Sequence, residues 1–519
     1  MPNIKINNKT ITAASTDTIL MAAKQAGIHI PTMCWLKEMK PSTSCMVCVV
    51  QDIISGKILP ACSALVHDGM NIETDNAEVH QMRKSALELL LSEHNGDCEA
   101  PCQRVCPAEM DIPRMNRLLS ESRFDEAIMV VKQTIALPAV LGYICPAPCE
   151  NACRRKDIDQ SVAICKLKRS AAEEHLLSWK TVTPELKSTN NKKVAVIGAG
   201  PAGLASAYYL AIEGFTCHLY DRNKQPGGAL RASIPEEVLP KSVLDKEIAI
   251  IQSLGVEFFN EKTITTGDIS SKSSIYDFIV CTTGGETTID YTLFERTEFS
   301  QIDEIAIYKI NNCFVFVPKP LATKTKMAVR AVAVGRKTSE WITEFVENQG
   351  VSKKVKPFNS VYKRISEKER IEFLKEAKNH SARNSTIEKS QGFTREQTCI
   401  EADRCLHCDC RKKDNCRLCE LSTEYKANQR TYTLPTSKNV EKITDHPQII
   451  FEYLKCIKCG ICIQTALNEG DKTGFAFDGR GFDIQVKISL DRDIRDAIDK
   501  SALHCAKNCP TGAISIKKQ

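Results

Sequence analysis

Long hydrophobic runs are missing from this chain of 519 residues. No apolar stretch approaches the roughly 18 residues that a membrane span needs, so no membrane insertion is expected. The start, MPNIKINNKT, has no charged head followed by an apolar core. That argues against a secretory leader and for a cytoplasmic chain. Lys and Arg number 70 against 64 Asp and Glu, a net charge of +6, with no concentrated basic block. A nucleic-acid partner is therefore not expected, and the scattered lysines read as a solvated surface suited to acidic partner proteins. No repeat of fixed period is found. No Ser/His/Asp or paired-carboxylate constellation emerges, so no acid–base catalytic residue is assigned. The glycine fingerprint GxGxxG occurs once, at 198–203, and has no second copy.

Cysteine is what the chain has in abundance, 25 in all. They cluster at short spacings in a long chain, which points to metal or iron–sulfur ligation rather than disulfides. Zinc is the competing occupant. The length suggests three to five domains at roughly 100–200 residues each. Alternation in IKINNKTIT gives a strand-like opening, and TILMAAKQAGI has helical spacing. KTVTPELKSTNNKK (180–193) and TYTLPTSKNVEK (431–442) read as linkers. The expected divisions are 1–78, 79–180, 190–350, 351–430 and 440–519. The fold class is multi-domain, α+β and α/β.

The first cysteine group is Cys34, Cys45, Cys48 and Cys62, with gaps of ten, two and thirteen residues. Four thiolates suit one [2Fe–2S] cluster, and Cys-x2-Cys on a loop lets neighbouring thiolates bind without strain. The stretch resembles the N-terminal ferredoxin domain of complex I-type large subunits and iron hydrogenases. The resemblance implies a β-grasp fold.

The second lies in HNGDCEAPCQRVCP, YICPAPCENACRR and SVAICKLKRSAAE. Cys98, Cys102 and Cys106, then Cys145, Cys149 and Cys153, form two Cys-x3-Cys-x3-Cys triplets. This resembles the helical N-terminal domain of the glutamate synthase small subunit and dihydropyrimidine dehydrogenase, which holds two [4Fe–4S] clusters. Two departures stand out. The family's leading cysteine is missing, with His94 four residues before Cys98, and Cys165 falls three residues before the family's last ligand. By this resemblance His94, Cys98, Cys102 and Cys153 hold one cluster, and Cys106, Cys145, Cys149 and Cys165 the other.

KKVAVIGAGPAGLASAYYLAIEGFTCHLYDRN reads as strand, glycine turn, helix, strand. Gly198 makes the tight turn, Gly200 lets backbone approach a pyrophosphate at the helix N-terminus, and Gly203 lets helix pack on strand. Ala199, Pro201 and Ala202 complete the turn, and Asp221 ends the second strand where an acid binds ribose. QPGGALRASIPEEVLPKSVLDKEIAIIQSLGVEF is similar to the FAD side of the glutamate synthase small subunit. Gly227, Gly228 and Leu230 would there approach the flavin. In that family YDFIVCTTGG leads into a nicotinamide domain. Here only about 30 residues follow before NNCFVFVPKPLATKTKMAVRAVAVGRKTSEWI, which resembles the closing strand and helix of the FAD domain. The reading is a truncated Rossmann-like FAD domain with no NAD(P)H site of its own. Its closing motif departs from the family's Gly-Asp, since this chain has VPKPLAT.

Two further groups follow. EADRCLHCDCRKKDNCRLC offers Cys405, Cys408, Cys410 and Cys416 for one [4Fe–4S] cluster or for zinc, with Cys419 competing for the fourth place. CIKCGIC and CAKNCPTGAI resemble a bacterial ferredoxin and give Cys456, Cys459, Cys462 and Cys509 for one [4Fe–4S] cluster. Cys217, Cys281, Cys313, Cys399, Cys419 and Cys505 are left as core or incidental. The whole reads as an oxidoreductase subunit holding FAD, one [2Fe–2S] and about four [4Fe–4S] clusters. It would pass electrons to or from a ferredoxin or other redox subunits, in a hetero-oligomeric complex. A cluster-bearing scaffold with an empty Rossmann unit and a self-sufficient flavin reductase of a small substrate are the alternatives.

Overall fold

The computed structural model describes every residue except 38, 179–182, 285–288, 298–303, 320–326, 353–355, 363–364, 384–391, 433–438, 472, 490–492 and 518–519. Most of the VPKPLAT segment and half of the 431–442 linker fall outside the described residues. The chain forms two compact units. The first comprises Met1–Glu99, Val355–Glu376 and Cys408–Gln519; the second comprises Ala100–Lys354 and Ala377–His407. The expected domains are consecutive stretches, whereas both units are assembled from separated segments.

The first unit opens with a five-stranded mixed sheet of β1 (Asn3–Ile6), β2 (Lys9–Thr12), β3 (Val49–Asp52), β4 (Lys57–Pro60) and β5 (Asn71–Glu73), ordered β2-β1-β5-β3-β4. β1 runs parallel to β5 and the other pairs are antiparallel. Alternation in IKI sends Ile4 and Ile6 into the core, where they meet Ile19, Leu20, Ala22 and Ala23 of α1 (Ile19–Gln25). Thr18 caps α1 by accepting from Met21 N–H. This is the β-grasp arrangement. α2 (Ala77–Glu93) follows, and Arg83 on it donates to the Val49 carbonyl and the Tyr425 hydroxyl.

In the second unit four helices of seven residues or more precede the Rossmann sheet, with the short helices Pro101–Arg104 and Pro148–Asn151 among them: α3 (Ile112–Ser120), α4 (Phe124–Lys132), α5 (Pro138–Ile144) and α6 (Ile164–Leu177). The sheet has seven strands, β6 (Lys193–Ile197), β7 (Thr216–Tyr220), β8 (Glu257–Phe259), β9 (Phe278–Cys281), β10 (Glu295–Arg296), β11 (Ile305–Ile310) and β12 (Cys313–Pro318), ordered β10-β11-β12-β9-β6-β7-β8. The run β12-β9-β6-β7-β8 is parallel. The FVFVP segment therefore closes the sheet beside β9, as a final strand should. α7 (Pro201–Ile212) has no polar face, and all its residues from Ala202 to Ile212 are buried. The sequence tolerates this because α9 (Ala328–Asn348) covers it from outside; α8 (Lys241–Ser253) lies between them in sequence. A side chain on Gly335 of α9 would overlap the Ala202 carbonyl and Ala205, so glycine lets the two helices touch. α10 (Arg395–Ala402) completes the unit, started by a Thr394/Gln397 capping box.

The chain then returns to the first unit with α11 (Arg417–Glu424), β13 (Lys442–Ile443), β14 (Ile449–Glu452), α12 (Ile461–Asn468), β15 (Phe475–Asp478), β16 (Gln485–Ile488), α13 (Ala502–Asn508) and β17 (Ile514–Ile516). One apolar cluster in this unit unites Met33, Cys34, Cys45, Leu87, Cys416, Ile457 and Cys459. Among the described residues no helix is long and apolar enough to cross a membrane.

Candidate cofactor sites

Every cysteine is a free thiol. Among the described residues no group of three or more His, Cys, Asp or Glu side chains has the geometry for a single metal ion. The thiols nonetheless gather into groups. Cys34, Cys45, Cys48 and Cys62 are all buried. The Cys45 thiol donates to Cys34 and holds it down to about 5, and Cys48 donates to Cys62 and holds it at about 7. Met46 in the left-handed region turns the loop so that Cys45 and Cys48 face the same centre, and Val47 N–H donates to Cys45 Sγ at 3.5 Å.

Cys456, Cys459, Cys462 and Cys509 line one small cavity together with Phe451 and Val486. Left-handed Lys458 and Gly460 fold the CIKCGIC loop around it, and Lys458 N–H donates to Cys456 Sγ at 3.4 Å. A hollow bounded by four thiols fits an iron–sulfur cluster. Cys505 lies beside it but packs into the core, its thiol donating to the Cys462 carbonyl at 3.6 Å.

In the second unit Cys106, Cys145, Cys149 and Cys165 surround the buried Lys168 ammonium, whose charge acts on all four. The Cys165 thiol donates to Cys145 and lowers it to about 6, while burial pushes Cys149 up to about 12. Lys168 itself donates to the Leu141 carbonyl at 3.2 Å. Cys153 sits near the fully buried Arg404. Arg404 pairs with Glu401 at 2.8 Å, and Glu401 also accepts from Ala163 N–H.

Around Cys98 the structure brings together thiols from two of the expected groups. Cys98 belongs to the first unit, Cys102 and Cys153 to the second. The Cys98 thiol donates to Cys419, and Cys410 and Cys416 stand beside the pair. Of the expected set Cys405, Cys408, Cys410 and Cys416, Cys410 and Cys416 are the two beside Cys98. His94 is buried, and its Nδ1 lies 2.9 Å from the Lys455 carbonyl. Cys419, read as core or incidental, is instead a member of a thiol group. Cys217, Cys281 and Cys313 are core residues of the Rossmann unit.

The glycine turn has the expected form. Gly198 has φ +101°, and a side chain on Gly203 would strike the Gly198 carbonyl. A side chain on Gly200 would meet nothing within 4 Å, so the N-terminus of α7 opens onto free space of the kind a pyrophosphate fills. The Gly227–Gly228 segment folds against this turn, Gly227 N–H donating to the Ala199 carbonyl at 2.8 Å. Leu230 is buried beneath it. Asp221 is turned inward. Its carboxylate accepts from Ala199 N–H at 2.6 Å and from Asn223 at 2.8 Å, bracing the loop. Pro201 begins α7 and Ala202 is the residue that Gly335 approaches.

Family models match three stretches: a 2Fe-2S iron-sulfur cluster binding domain at residues 2–77, dihydropyrimidine dehydrogenase domain II, 4Fe-4S cluster, at 76–178, and an NAD(P)-binding Rossmann-like domain at 196–258. The chain thus carries iron–sulfur domains of both kinds beside a Rossmann-like unit. It is 43% identical over 167 residues to the NADPH-Fe(3+) oxidoreductase subunit beta of Geobacter sulfurreducens, covering 32% of this chain and 25% of that protein. It is 33% identical over 207 residues to the NADP(+)-dependent formate dehydrogenase subunit beta of Moorella thermoacetica, covering 36% and 29%. Over 208 residues it is 34% identical to the NAD-dependent dihydropyrimidine dehydrogenase subunit PreT homolog of Salmonella typhi, covering 39% and 50%. The chain spans a quarter to a half of the length of these relatives.

Proposed function

We propose that this chain is an electron-carrying subunit of a larger oxidoreductase, with iron–sulfur clusters in both units and FAD on the glycine turn of the second. The observation that carries the reading is the packing of the first unit, where Cys34, Cys45, Cys416 and Cys459 from three thiol groups share one apolar core. Clusters held that way would exchange electrons through apolar packing. A bound flavin supplies the step between two-electron and one-electron chemistry, and clusters carry single electrons.

The chain's own groups prepare these sites. The open helix start at Gly200 offers backbone N–H groups to a dinucleotide's phosphates. Buried lysines offset the negative charge of ligated thiolates: Lys168 in the second unit, and in the first Lys455 and Lys412, the last donating to the Cys509 carbonyl at 2.5 Å. Reducing equivalents would come from a ferredoxin or a partner subunit. The names of the relatives, two of them beta subunits, support a place in an assembly.

The inward turn of Asp221 favours a second reading, in which the Rossmann unit is a scaffold that binds no dinucleotide. Flavin and iron per chain after anaerobic purification separate the two. About one FAD with roughly 18 irons supports the flavoprotein. The same iron without flavin establishes the scaffold, and a chain without iron overturns both.

A further inference from the structure

We infer that Cys98, Cys410, Cys416 and Cys419 hold one [4Fe–4S] cluster, a ligand set drawn from two stretches of sequence about 300 residues apart. The inference rests on the iron–sulfur reading above and changes which thiols share a centre. Each of the six pairs among these four thiols is in mutual contact or electrostatic range. Cys98 donates to Cys419. Cys98 acts on Cys410 and on Cys416, Cys410 acts on Cys416, and both act on Cys419. The backbone fixes the arrangement, since Cys410 N–H donates to the Cys98 carbonyl at 3.1 Å. That bond ties the HNGDC loop to the DCRKK loop at the two ligand positions themselves.

The surroundings are those of a cluster pocket. Ser360 N–H donates to Cys98 Sγ at 3.3 Å, and the N–H groups of Lys412 and of Leu418 and Cys419 point at Cys410 and Cys416. N–H donors to sulfur stabilise ligated thiolate and set its potential. Lys455 lies against Cys98 and Cys410 and is itself held by Glu452 at 2.7 Å. Glu452 belongs to a buried run of alternating charge, Arg411–Glu376–Lys442–Glu452–Lys455. Gly512 is glycine because any side chain there would enter the Cys410 sulfur. The pocket also adjoins the ferredoxin-type site. Arg417 N–H donates to the Pro510 carbonyl at 3.0 Å, and Cys416 Sγ lies 3.8 Å from that oxygen, one residue after Cys509. The first unit then contains three neighbouring centres: the N-terminal thiol group, the Cys456 group and this one.

The test is iron and sulfide per chain, with spectra of the dithionite-reduced full-length protein reconstituted anaerobically. Cys98→Ala and Cys419→Ala should each lose the same four or so irons, and the double variant no more than either. Cys98→Ala combined with Cys149→Ala, in the Cys106 group, should lose roughly eight. Full iron in Cys419→Ala would overturn the assignment, as would zinc lost in place of iron. Should the alanine chains fail to fold, Cys98→Ser and Cys419→Ser supply a second reading. Both should shift the same electron paramagnetic resonance signal, and shifts in two different signals refute the shared site. Wild-type protein without iron would overturn the iron–sulfur reading itself, whereas full wild-type iron with differently paired variants would overturn only this grouping.

Discussion

Glu247 shows how much a single buried carboxyl can set. It accepts from Ala139 and Val140 N–H, at the start of α5, at 2.8 and 2.9 Å. Burial outweighs those bonds and pushes it up to about 7. Between the usual value near 4.5 and about 7 the folded chain binds more protons than the unfolded one, so stability falls as pH rises through that window. The contribution is about 3 kcal/mol, present in full below about pH 4.5 and lost above about 7. Denaturant unfolding from pH 4.5 to 8 should show this slope, and Glu247→Gln should flatten it. Lys168 carries a second prediction. Its charge among Cys106, Cys145, Cys149 and Cys165 favours the reduced, more negative state of a cluster there. At an effective dielectric of about 20 a charge several ångström away is worth roughly 2–4 kcal/mol. Lys168→Met should therefore lower that centre's potential by on the order of 100 mV in a redox titration.

At the scale of elements, some of this was legible in advance. The CWLKEMKPSTSCMVC and CIKCGIC spacings name thiols that the fold does bring together, because the closely spaced cysteines of each run share one loop. KKVAVIGAGPAG likewise announces β6, the turn and α7, since each glycine has a local steric reason. The partner of Cys98 was not legible. One cysteine looks like another in sequence, and the bond from Cys410 to Cys98 depends on a long chain return. Asp221 also escaped, because the N–H it braces belongs to the turn across the strand ends. The contact of α7 with α9 gives a test at this scale. Gly335→Val drives a branched side chain into the Ala202 carbonyl and should cost about 3 kcal/mol or more, read as a fall in melting temperature. Arg404→Met removes the guanidinium that pairs with the buried Glu401. It should cost about 3–5 kcal/mol in the same measurement.

For the whole molecule, each compact unit combines segments that lie far apart in sequence. Residues 79–180 resemble a two-cluster domain, yet Cys98 finds its partners beyond residue 400. An isolated fragment of residues 79–180 should therefore hold about four irons, at the Cys106 group, rather than about eight. Iron analysis of the reconstituted fragment decides this, and eight irons would show that the fragment carries both sites alone.

The divided first unit also has a consequence in time. About 300 residues separate Glu99 from Cys408, and at 5–20 residues per second a ribosome takes roughly 15–60 s to cross them. During that interval Cys98 has been made and its partners have not. The N-terminal thiol group, complete by Cys62, is ready to receive iron early. The sites that draw on the returning segment are ready only after that segment is made, so metal loading follows an order written into the connectivity of the chain.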